Sequence, residues 1–131
     1  VFMVDYRLAP EAPYPAPLAD CTAAFDWIAA HAARFDLDPA RLVLGGERAG
    51  DHLAMGVIRS LAAGRLGGAP QAAPAALVLV YPVTDCDVDN GSYSDPENQL
   101  LLTRESMIWF WDHYTPDASC RTAPDACAGW L

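Results

Sequence analysis

The sequence predicts an α/β fold with parallel strands, on three observations. Short apolar runs at residues 1–6, 41–45 and 76–81 alternate with stretches of helical spacing, in the order β-α-β-α-β. The second and third runs are apolar without alternation, as in strands covered on both faces. The 131 residues are 53% hydrophobic, which suffices for one core, and a single domain over 1–131 is expected. Strands joined through helices imply right-handed crossovers and a three-layer arrangement. Three strands make a narrow, incomplete sheet, so self-association through open sheet edges is expected as well.

Each element has a local reason. Residues 1–6 (Val-Phe-Met-Val-Asp-Tyr) are β-branched and aromatic and read as a strand. A loop with Pro10, Pro13, Pro15 and Pro17 follows, the last suiting the first turn of a helix. From Leu18 the positions Leu18, Cys21, Phe25, Ile28 and Ala32 form one helical stripe that should stop near Arg34 or Phe35. Residues 41–45 read as the second strand. A helix over 49–63 then places Leu53, Val57 and Leu61 on one face.

Residues 64–74 carry no pattern, and 76–81 form the third strand, stopped by Pro82. The acidic stretch 85–98 is turn-rich. Thr103 reads as an N-cap with Ser106 at N3, opening an aromatic helix over 104–114 with Met107, Trp109, Phe110, Trp111 and Tyr114. The remainder has no clear period.

Charge and cysteine use narrow the function classes. Acidic residues outnumber basic ones 17 to 8, for a formal net charge of -9, and every cation is Arg. Such a surface repels phosphate backbones, so no nucleic-acid partner is expected. No apolar run reaches the roughly 18 residues of a membrane span, and no signal peptide is visible. A soluble chain is expected, placed in the cytoplasm. The four cysteines are too scattered for a disulfide scaffold and contain no CxxC pair, so neither a structural zinc site nor any other metal or cofactor is expected. Cys120 and Cys127 lie close together but would pair only in an oxidising compartment.

The informative segment is Leu44-Gly45-Gly46-Glu47-Arg48-Ala49-Gly50-Asp51-His52-Leu53-Ala54, between a strand and a helix. A nucleophile elbow belongs at that position, with glycines two before and two after a residue on a sharp turn. Gly46 and Gly50 hold the two glycine positions around Arg48, and Gly46, Glu47, Arg48, Ala49 and Gly50 make up the expected elbow.

With these residues in view, the chain resembles the hormone-sensitive-lipase-like branch of the α/β-hydrolase superfamily, microbial carboxylesterases and lipases. Asp5-Tyr6-Arg7-Leu8-Ala9-Pro10-Glu11 and Tyr14-Pro15-Ala16 are similar to that family's DYRLAPE…FPA segment. Residues 44–54 resemble its G-D-S-A-G-G elbow. Tyr81-Pro82-Val83-Thr84-Asp85, Leu100-Leu101-Leu102-Thr103 and Trp109-Phe110-Trp111-Asp112-His113-Tyr114 continue in the family's order. The resemblance implies a partial α/β-hydrolase core and descent from enzymes that cleave small-molecule esters by a Ser-His-Asp acyl-enzyme route. It also implies that the oxyanion loop would precede residue 1 and the catalytic Asp and His would follow residue 131.

The departures fall where the chemistry would be. The nucleophilic serine of the family falls on Arg48, its preceding acid on Glu47 and a small glycine on Asp51. A guanidinium has no lone pair to attack a carbonyl and stays protonated. No Ser or Cys lies between Cys21 and Ser60. No catalytic residue is therefore assigned, and the favoured reading is a pseudoenzyme with a disabled turn that has relaxed from its strained conformation. The alternative is a binding or regulatory module that uses Arg48 for an anionic ligand.

Other motifs read as structural. The stretch Asp85-Cys86-Asp87-Val88-Asp89-Asn90-Gly91 lacks EF-hand spacing and reads as a solvated turn. Gly64-Arg65-Leu66-Gly67-Gly68 has no preceding strand and is no phosphate loop. The aromatics of 104–114 read as packing more than as a ligand surface. Arg7 and Glu11 should pair and anchor the Pro-rich loop.

Overall fold

In the computed structural model, which describes residues 1–64 and 72–127, the architecture is α/β with a parallel sheet. The sheet has two strands, β1 (Val43–Glu47) and β2 (Ala76–Val80), in register Val43↔Ala76 to Glu47↔Val80. Between them runs α2 (Ala49–Ala63), which packs on the sheet and on α1 (Ala16–Ala30). Downstream lie the short α3 (Gly91–Ser94) and the aromatic α4 (Arg104–Tyr114). The glycine-rich stretch 64–68 lies outside the described residues from position 65 onward.

The first of the three expected strands does not form. Residues 1–6 have no ladder partner among the described residues, and a β-branched run becomes a strand only when its N–H and C=O groups are paired. Val1 and Met3 stand in solvent, while Tyr6 packs against the core. The second strand also begins two residues later than its apolar run suggests. Asp38 accepts the Ala40 N–H at 2.9 Å and caps a 3₁₀ turn, Pro39–Arg41, that takes up Arg41. Similarly, α1 ends at Ala30. Its expected last turn is a separate 3₁₀ turn, Ala32–Phe35, closed by Asp36 in the left-handed region at φ 54°.

Among the described residues, the helices cover one face of this partial sheet. Leu44 turns toward the helices and packs against the core cluster of Leu18, Phe25, Leu53 and Val57. Val43 and Val78, on the opposite face, are each 55% exposed. A continuous apolar run announces two buried faces, but only sequence-distant elements can supply the second cover. The helix-side core is tight. A Cβ on Gly56 would stand 2.9 Å from Leu18 Cδ1, so glycine there lets α1 and α2 approach.

The Pro-rich loop is anchored differently than expected. Arg7 pairs with Asp20 and not with Glu11: its backbone N–H, Nε and Nη2 donate to the Asp20 carboxylate at 3.0, 2.8 and 2.7 Å. The helix α1, one turn past its start, presents that carboxylate to the loop, whereas Glu11 is only four residues away within it. The Thr103 cap forms as read, with its Oγ1 accepting the Ser106 N–H at 3.2 Å. The unpatterned C-terminal stretch contains a 3₁₀ turn, Ala118–Thr122, capped by Asp117.

Candidate functional site

The turn between β1 and α2 places one residue, Arg48, at φ 53°, ψ -107°, a region that disfavours every residue with a Cβ. The turn has therefore not relaxed. Its conformation is held from several sides. The Arg48 N–H donates to Val80 O at 3.0 Å, and the Asp51 carboxylate accepts the Val80 N–H at 2.8 Å. Arg48 O accepts the His52 N–H at 3.2 Å and opens the helix. One residue of β2, Val80, thus clamps the turn through both its N–H and its C=O.

The two glycines beside Arg48 differ in need. A Cβ on Gly46 would lie 2.3 Å from the Gly50 carbonyl carbon, so residue 46 must be glycine for strand and helix to meet this closely. A Cβ on Gly50 would meet nothing within 4 Å. Gly50 is the surface that Gly46 approaches, and its own side is open. Glu47 and Gly46 belong to the strand, while Ala49 and Gly50 open the helix. Asp51, fully buried, was legible only as a departure at a small-residue position; its role as a clamp on β2 depends on a contact 29 residues away.

Arg48 faces a cavity of about 510 Å³. Its walls come from residues 6–9, from Ala49, His52 and Leu53 of α2, and from Met107, Trp109, Phe110 and Trp111 of α4. The aromatic helix therefore serves both readings: Met107 and Trp111 are buried, whereas Trp109 and Phe110 are exposed cavity wall. The guanidinium has a neighbour, since Arg48 Nε lies 3.7 Å from Glu47 Oε1 with both side chains more than half exposed.

No histidine stands as a base toward residue 48. His52 is buried, Nδ1 3.2 Å from Val83 O, with its ring edge-on to Trp111 and Tyr114 at 5.3 and 5.7 Å. Burial lowers its pKa against the opposing pull of the Val83 and Ala126 carbonyls, so the ring is neutral and packs as an aromatic wall. His31 and His113 each bond a carbonyl four residues back on their own helix, at Trp27 and Trp109.

The possible substitute nucleophiles are also out of place. Cys21 lies on α1, and burial followed by the nearby Asp20 carboxylate pushes its thiol up to about 11, far from a thiolate at neutral pH. Ser60 lies buried three turns along α2, its hydroxyl 3.4 Å from Asp125 Oδ2.

The acidic stretch is a chain of turns. Asp85 Oδ1 accepts the Asp87 N–H at 3.0 Å, Asp87 Oδ1 accepts the Asp89 N–H at 2.9 Å, and Asp89 pairs with Arg104. These carboxylates serve the backbone and an arginine. Among the described residues, none of the four cysteines forms a disulfide. The cluster that forms joins Cys127 to Asp85 and Cys86, with ligand atoms within 4.8 Å of one another.

Comparison with known proteins extends over nearly the whole chain. The profile of the alpha/beta hydrolase fold matches residues 1–129. Carboxylic ester hydrolase LipN of Mycobacterium tuberculosis is 39% identical over 121 residues, covering 90% of this chain and 31% of that protein. Ethyl acetate hydrolase of Pseudomonas putida is 32% identical over 124 residues, covering 95% of this chain and 38% of that protein. Among solved structures, carboxyl esterase 2 of Tuber melanosporum superposes with a TM-score of 0.84 at 30% identity, over 100% of this chain and 41% of that one. The chain thus spans about a third of the length of the curated relatives it matches. Among the described residues, no helix is long and apolar enough to cross a membrane.

Proposed function

The chain belongs to the alpha/beta hydrolase fold family, and from that premise we propose that it is a carboxylesterase- or lipase-like member that binds small apolar esters but does not cleave them. The observation that carries this reading is Arg48. It holds the positive-φ position between strand and helix, where the resemblance puts the serine nucleophile, and its side chain borders the cavity. Acyl transfer must begin with a lone pair on that side chain, and a guanidinium offers none. Loss of the nucleophile alone costs on the order of 10⁶ in turnover, equivalent to about 8 kcal/mol of transition-state stabilisation. In this reading Gly46, Glu47, Arg48, Ala49 and Gly50 are a disabled elbow on a retained scaffold.

The ligand class follows from the walls. The cavity of about 510 Å³ is bordered by Leu53, Met107, Trp109, Phe110 and Trp111, and relatives carry names such as carboxylic ester hydrolase and ethyl acetate hydrolase. A small ester or its acyl chain suits such a wall. A binding module that recruits anions through Arg48 is not favoured, because Glu47 stands 3.7 Å from the guanidinium and repels a second carboxylate.

The test is titration with p-nitrophenyl butyrate. Tryptophan fluorescence from Trp109 and Trp111 should change saturably, and nitrophenolate should appear no faster than in buffer. Saturable turnover by the purified protein would overturn the non-hydrolytic reading. A flat fluorescence titration would overturn the ligand assignment.

A further inference from the structure

We propose that Asp85, Cys86 and Cys127 form a binding site for a thiophilic divalent metal ion of the zinc class. The site ties the segment after β2 to the C-terminal part of the described chain. Nothing in the hydrolase reading uses these residues. Cys86 and Cys127 lie 41 positions apart, so local sequence spacing does not place them together; the fold does.

Three observations carry the assignment. One ligand atom from each residue lies within 4.8 Å of the other two. The Cys127 sulfur stands 3.7 Å from Asp85 Oδ1. A tetrahedral zinc with Zn–S of about 2.3 Å and Zn–O of about 2.0–2.2 Å separates its sulfur and oxygen ligands by roughly 3.6 Å, so that edge of the tetrahedron is already present. The Cys86 backbone N–H also donates to Cys127 Sγ at 3.0 Å, which fixes the position of that sulfur beside Cys86.

Burial fits a ligand set as well. Cys127 is fully buried, Cys86 half-buried and Asp85 exposed, so the cluster has one sealed side and one side open to water as a fourth ligand. Asp85 Oδ1 already accepts the Asp87 N–H at 3.0 Å, which orients the carboxylate. Two thiolates prefer zinc or cadmium to magnesium or calcium. On binding, the two sulfurs exchange their protons for the metal, and about two protons leave per ion.

The experiment titrates the reduced protein with Cd²⁺ and then with Zn²⁺. One Cd²⁺ per chain should bind, with an ultraviolet sulfur-to-cadmium charge-transfer band and release of about two protons. Zn²⁺ should displace it and raise the Tm, and EDTA should reverse the rise. Cys86→Ser and Cys127→Ser should each weaken binding by more than the about 10–100-fold lost when an outer partner of a zinc site is removed. Asp85→Asn, at an exposed position that leaves the core intact, should weaken binding while keeping the charge-transfer band. Cys120→Ser should change neither. Absence of the band, unchanged affinity in Asp85→Asn, or binding that survives both Cys86→Ser and Cys127→Ser would overturn the site.

Discussion

The turn at Arg48 and the cluster at Cys86 and Cys127 are opposites. At the turn, the backbone keeps a demanding geometry and presents a guanidinium, which carries no hydroxyl or thiol. At the cluster, two sulfurs and a carboxylate come together with no local motif to announce them. The first depends on neighbours in sequence: Gly46, Gly50 and the opening of α2. The second depends on a chain path of 41 residues. Backbone geometry and side-chain chemistry are therefore set separately: the turn is held by contacts to Val80, Asp51 and Gly50 that do not involve the Arg48 side chain.

The largest effect that sharpens this contrast is expected at Gly46. Gly46→Val drives a side chain into the Gly50 backbone, where even a Cβ would sit at 2.3 Å. Nothing flexible can give way, so denaturant unfolding should show a loss of about 3 kcal/mol or more. Gly50→Ala, with open space around its Cβ, should cost nothing and slightly favour the helix. Equal losses at both positions would break the distinction between the two glycines.

Next in size is the strain at residue 48. Arg48→Gly removes the Cβ from a conformation at φ 53°, ψ -107°, and should raise stability by about 1 kcal/mol in chemical denaturation. Arg48→Val should lower it. Stability that falls in Arg48→Gly would mean that the guanidinium holds the turn, contrary to a scaffold fixed by Val80, Asp51 and Gly46.

A smaller effect follows from His52. Burial lowers its pKa, so the folded protein binds fewer protons at this ring than the unfolded chain does. Stability from His52 is present above the unfolded value near 6.5 and declines as pH falls below it. His52→Phe, which keeps a ring beside Trp111 and Tyr114, should flatten the Tm-versus-pH curve in that window. An unchanged slope would contradict the buried neutral ring.

The smallest effect belongs to the Arg7–Asp20 pair. The Arg7 guanidinium and N–H hold Asp20 down to about 2. The contribution is thus present above the ordinary aspartate range near 4 and lost as pH falls toward 2. Because the pair is exposed, Asp20→Asn should lower Tm only slightly at pH 7, and the difference should shrink below about pH 4 and vanish only below pH 2.

The helices and the turn were legible in the sequence because their causes are local. Helical spacing from Leu18, the Thr103 cap and the glycines around Arg48 all act within a few residues, and β2 follows its apolar run. The segment 1–6 failed because strand formation needs a partner, which no local composition supplies. The Asp20 partner of Arg7, the Asp51 clamp on β2 and the meeting of Cys86 with Cys127 were hidden for the same reason. At the turn the local reading errs in the other direction: a side chain without a hydroxyl or thiol predicts relaxation, but the hydrogen bonds to Val80 and the helix start hold the conformation.

Intact-mass analysis after incubation with a fluorophosphonate tests the absence of a nucleophile at this turn most directly. The protein should emerge at its unmodified mass, because residues 46–50 carry no hydroxyl or thiol for the fluorophosphonate to phosphonylate. A stoichiometric phosphonyl adduct mapped to residues 46–50 would contradict it.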